Sequence, residues 1–95
     1  MDISLALRKV RFDLGMKQAV VAKKAKVSAS YLCQVESGTK HPSKVIIEKL
    51  CKVYNIPYIV LAWYGVEDKD IKKDKLTIYK QLKPAMDGLI EQLLK

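Results

Sequence analysis

Apolar residues recur through the first fourteen positions at spacings of four, three and four: Ile3, Leu7, Val10 and Leu14. That period places all four on one side of a helix. A second helical piece is predicted from Lys17 to Ala25, with Val21, Ala22 and Ala25 apolar. Ser28 offers an N-cap for a third, Ala29 to Ser37, with Leu32 and Val35 inward. After the loop Gly38-Thr39-Lys40-His41-Pro42, Ser43 caps a fourth through Tyr54, built on Ile46, Ile47, Leu50, Cys51 and Tyr54. A fifth spans Pro57 to Tyr64. Gly15, Gly38 and Gly65 each follow a helical stretch, where C-terminal cap glycines are expected. No alternating run bounded by a hairpin signal occurs, so no strand is predicted. The fold expected is all-α, with five short helices in residues 1–66 and a helical extension over residues 67–95.

The extension has a different pattern. It opens on the charged stretch from Glu67 to Lys75. Tyr79, Leu82, Met86, Leu89 and Leu93 then repeat at three, four, three, four, a heptad-like seam. Pro84 predicts a break or a new helix start near Lys83. Two heptads are marginal alone in water, so this segment needs a surface to pack on.

Charge adds a partner class. The chain carries a formal net charge of +8. Residues 1–65 hold 11 Lys/Arg against 4 Asp/Glu, and residues 66–95 hold 7 against 6, so the excess lies in the five-helix part. A basic compact domain favours polyanions, nucleic acid before anionic membrane. The longest fully apolar run, Ile59 to Trp63, is too short to span a bilayer, and the first residues do not resemble a signal peptide. Cys33 and Cys51 form no CxxC pair and have no neighbouring histidine, which argues against structural zinc or a disulfide scaffold. The expectation is a reduced, cytoplasmic protein without metal, cofactor, small-molecule ligand or membrane association. Around the single histidine no nucleophile–base pair or triad can be assembled, and no Gly-rich phosphate loop or HExxH motif is present, so no enzyme is expected.

The informative stretch runs from Gln18 to Pro42: a short helix, a tight turn at Lys26-Val27-Ser28, and a second helix closing at Gly38. Ala22 is small where crossing helices approach, and Val27 can plug the gap between them. Such a hairpin alone does not imply DNA binding. In its details, however, it resembles the helix-turn-helix of the phage-repressor/Cro (XRE) family. Gln18 opens the first motif helix and Ala22 lies inside it. Val27 is in the turn, Ser28 leads the second helix, Glu36-Ser37-Gly38 closes it, and Pro42 lies beyond. Upstream, Arg11 and Leu14-Gly15 match the family's first helix; downstream, Ile46-Ile47, Leu50-Cys51, Tyr54 and Ile56 match its fourth helix and the entry to the fifth. The resemblance covers residues 3–65 and departs from the family at Lys26, where glycine is usual because the turn often needs positive φ.

The resemblance implies a λ-repressor-like domain whose second motif helix enters the major groove of double-stranded DNA. Ala29, Ser30, Cys33 and Gln34 are then the base-reading positions, with the Gln34 amide able to pair bidentately with adenine. Lys17, Gln18, Tyr31, Thr39, Lys40 and Lys44 are the phosphate-contacting candidates, and Arg11 and Glu36 are implied to form a buried structural ion pair. Outside that register, Gln18 and Gln34 read as solvated surface, Cys33 as a small neutral surface residue and His41 as a loop residue. The function expected is a dimeric transcriptional regulator, a repressor, on a palindromic operator. The alternative is a protein-interaction or antitoxin-type module keeping the fold. Helix five is apolar nearly all round, so Ile59 and Trp63, with the tail positions Tyr79, Leu82, Met86, Leu89 and Leu93, are the expected homodimer interface. The competing arrangement folds the tail back on its own domain as a sixth helix.

Overall fold

The structure is a computed structural model and describes residues 1–94. Six helices follow one another: α1 (Ile3–Asp13), α2 (Gln18–Ala25), α3 (Ala29–Ser37), α4 (Lys44–Tyr54), α5 (Tyr58–Gly65) and α6 (Leu76–Leu94). Among the described residues there is no strand. The all-α expectation and the five short helices hold, each predicted boundary within a residue or so of the observed one.

Three side chains start helices by accepting an orphan N–H of the first turn. Asp2 accepts from Leu5 at 3.0 Å, Ser28 from Tyr31 at 3.0 Å and Ser43 from Ile46 at 3.3 Å. Left-handed residues end α2, α3 and α4: Lys26 (φ 59), Gly38 (φ 84) and Asn55 (φ 55). Gly38 and Asn55 suit that conformation, but Lys26 crowds its Cβ against the backbone. Lys26→Gly should therefore raise stability by about 1 kcal/mol, read as an increase of several degrees in Tm.

Gly65 differs from the expectation. It is the last residue of α5, and the cap that follows, Val66, is extended. Its small size serves a close approach instead. The Asp2 amide donates to the Gly65 carbonyl at 2.9 Å, and a Cβ on Gly65 would lie 2.9 Å from the Asp2 carbonyl oxygen. The end of α5 thus rests directly on the start of α1.

The core is built on the first five helices. Ala6, Leu7 and Val10 of α1 meet Val21, Ala22 and Ala25 of α2, Leu32 and Val35 of α3, Leu50 and Tyr54 of α4, and Val60 and Leu61 of α5. Small side chains on α2 let it cross α3 closely, and half-buried Val27 fills the turn between them.

The charged connection holds two short 3₁₀ turns, Asp68–Asp70 and Lys73–Lys75. The Met1 ammonium pairs with Asp70 and holds this connection against the start of the chain. The expected break at Lys83 does not occur, because α6 runs unbroken through Pro84. Pro84 and Lys80, whose carbonyl loses its i+4 donor to the proline, are both exposed, so water can take up the lost bond.

The tail folds back on its own domain. Tyr79 and Ile90 are buried, Met86 and Leu94 half-buried, and Ile90 and Leu94 join the core. Trp63 of α5 packs on Tyr79 with ring centroids 5.7 Å apart, and its indole N–H donates to Asp87 at 2.8 Å. The inward stripe is therefore Tyr79, Met86, Ile90 and Leu94. The predicted seam is divided: Leu82, Leu89 and Leu93 stay at least half exposed, beside Ile78.

Candidate nucleic-acid interface

The local sequence places the candidate residues in a consistent way. Ser28 fixes the first turn of α3, and Leu32, Val35 and Glu36 turn inward. That registration leaves Ala29, Ser30 and Cys33 exposed and Gln34 half-buried at the edge of the same face. The exposed positions fall at i, i+1 and i+4, a single helical surface. Residues of α1, α5, α6 and the connection between α5 and α6 line the cleft beneath the tail, and none comes from α2 or α3. The face of α3 that carries Ala29, Ser30 and Cys33 is open to solvent.

The turn after α3 stays close to the helix. The Lys40 amide donates to the Gln34 carbonyl at 3.1 Å, and the Ser37 and Thr39 hydroxyls lie 2.9 Å apart. The Lys40 ammonium sits 5.7 Å from the centre of the half-buried Tyr31 ring, which holds this cation beside the helix. Lys17 before α2, Thr39 and Lys40 after α3, and Lys44 at the start of α4 are all exposed. Lys23, Lys24 and Lys26 add further exposed positive charge along α2 and the turn.

Beneath the interface lies an ionic cluster. Glu36 is 3 % exposed, and its carboxylate accepts from Arg11 Nε at 2.8 and 3.1 Å and from Arg11 Nη2 at 2.9 Å. Arg11 Nη1 donates to the Met16 carbonyl at 3.1 Å. The hydrogen-bonded Glu36 raises the guanidinium pKa, burial opposes it, and the Glu36 charge adds to the rise. The pair ties α1, the loop before α2 and the end of α3 into one unit. Burial, with Glu36 close by, also pushes the Tyr54 phenol well above its ordinary pKa.

Sequence reasoning missed one member of this cluster. Gln18 Nε2 donates to Glu36 Oε1 at 3.2 Å, which commits part of an amide expected to face phosphate. A glutamine opening a helix reads equally as solvent-facing or buttressing, and only the approach of α2 to α3 decides between them. Two further contacts carried no local signal: Trp63 with Asp87, and the Tyr64 hydroxyl donating to Asp13 at 2.7 Å. Both join elements far apart in sequence.

A short helix, a left-handed turn and a second helix with one open polar face, braced by a buried ion pair, define a helix-turn-helix domain. Residues 7–61, more than half of the chain, match the family described as Helix-turn-helix. The chain therefore belongs to the XRE-type helix-turn-helix family, whose members are DNA-binding transcription regulators. None of the curated proteins matches this chain. Among the described residues no helix is long and apolar enough to cross a membrane.

Proposed function

We propose that the protein is a sequence-specific repressor that binds double-stranded DNA by placing α3 in the major groove. The observation that carries this reading is the open face of Ala29, Ser30 and Cys33, with Gln34 at its edge, flanked by exposed lysines and left uncovered by the tail. Short side chains at 29, 30 and 33 let the helix approach base edges closely, and Gln34 supplies the longest reach and an amide that can pair with adenine. Lys17, Lys40 and Lys44 contact phosphates, with Thr39 and the Tyr31 hydroxyl beside them. The first-turn N–H groups of α2 share the Gln18 role, because the Gln18 amide also holds Glu36.

Selection of duplexes from a random pool gives the preferred site. On that site Gln34→Ala should weaken binding by about 1–3 kcal/mol, with much less loss on random duplex. Equal losses on both would remove Gln34 from base reading.

The same reading includes a homodimer on two half-sites about one DNA turn apart. Trp63 and Tyr79 pack on each other and Met86 is half-buried, so the proposed interface narrows to Ile59, Leu82, Leu89 and Leu93, the exposed members of the expected set. Ile59 at 76 % exposed is a large apolar side chain left to water. Light scattering after gel filtration should give twice the mass of one chain, and Leu89→Lys should give one. A parent that is monomeric at every concentration contradicts the dimer.

A further inference from the structure

The tail does not close fully on the domain. Between α6 and the α1–α5 pair lies a cleft of about 650 Å³, within the range of small-molecule sites. Its walls include the rings of Trp63, Tyr64 and Tyr79. Four carboxylates line it, Asp13, Asp68, Asp87 and Glu91, against two lysines, Lys9 and Lys83. In a chain of net charge +8 this is a local reversal of sign.

Tyr64 shows that the reversal is felt inside the cleft, whereas Asp87 is held by its own donors. Burial, the hydrogen bond to Asp13, and the charges of Asp13, Asp87 and Glu91 together raise the Tyr64 phenol well above its ordinary pKa. At Asp87, burial works against ionisation, but the bonds from Trp63 and Lys83 outweigh it and hold the carboxyl below its usual pKa. Lys83 is already held, 3.0 Å from Asp87 and 6.0 Å from the centre of the Trp63 ring. Asp68 has Lys80 3.9 Å away, which leaves Asp13 and Glu91 as the lining carboxylates without a lysine partner within 4 Å among the described residues.

We infer that this cleft binds a small organic cation with an apolar body, such as an aromatic or alkyl ammonium. The rings supply flat, electron-rich walls for the apolar part and the charged head, and Asp13 and Glu91 supply the countercharge. The site does not depend on the DNA-binding reading, since none of its residues lies on α2 or α3.

Trp63 is the one tryptophan of the chain, so its emission reports on this cleft. The probes are benzyltrimethylammonium, neutral benzyl alcohol and anionic phenylacetate, titrated at low ionic strength. The expected result is saturable change of Trp63 emission by the ammonium, at concentrations at least about tenfold below any response to the other two. Glu91 is exposed, so Glu91→Gln leaves the fold in place and should weaken the ammonium by about fivefold. No saturable response, an equal response to all three probes, or an unchanged Glu91→Gln titration overturns the proposal. DNA binding measured on the same samples tests the interface on α3 separately.

Discussion

Glu36→Gln should lower the unfolding free energy by about 3–5 kcal/mol, the largest loss expected from any single charge change in the chain. The Glu36 carboxylate is almost fully enclosed and accepts from both Arg11 and Gln18. An amide in its place presents an NH₂ group to a guanidinium and an amide that both need acceptors. The Arg11 side chain is 12 % exposed and cannot recover its hydration without opening the domain. Small domains have only about 5–15 kcal/mol of stability in total, so the loss is a large share of it. Urea denaturation followed by circular dichroism measures it, with Glu48→Gln as the control. Glu48 is exposed, and its change should stay within about 0.5 kcal/mol. Replacing both partners, Arg11→Met with Glu36→Leu, should recover much of the loss, because the cost lies in an orphaned charge and not in the absence of the pair. Coincident midpoints for the parent and Glu36→Gln would contradict the cluster's structural role.

The second large effect is on binding. Three lysines per protomer, Lys17, Lys40 and Lys44, are assigned to phosphates, about six contacts in a dimer. Each contact releases condensed counterion, so the logarithm of affinity should fall with that of salt at a slope of about −5. Between about 50 and 200 mM salt that is a loss of roughly a thousandfold. Lys44→Ala should reduce the slope by about one per protomer and weaken preferred and random duplexes alike, unlike Gln34→Ala. Fluorescence anisotropy across a salt series gives both slopes. A slope near zero would remove phosphate neutralisation from the account.

The five-helix domain was legible because its signals are local. Ser28 and Ser43 are caps whose meaning lies within three residues, and Leu7, Val10, Leu32, Val35 and Leu50 sit at helical period. Lys26 was expected at a position needing positive φ and has it. The misreadings are tertiary. Gly65 has the spacing of a cap, but its role is set by Asp2, 63 residues earlier in the chain. In α6 the period was right and the face only partly so. Ile90 and Leu94, outside the predicted seam, turn inward while Leu82, Leu89 and Leu93 turn out. A helix with apolar side chains on two sides gives no periodic signal for which side meets the domain, and here Trp63 decides it. Pro84 misled because its cost depends on exposure, which period does not report.

The most direct test of the central claim is the map of amide chemical-shift changes when duplex DNA is added at low ionic strength. Insertion of α3 into the major groove predicts the largest changes from Ala29 to Gln34, with a second set in the first turn of α2 and from Thr39 to Lys44, and none along α6 beyond those of a shared dimer. Changes centred on α6 or the cleft beneath it, or no changes with any duplex, would contradict it.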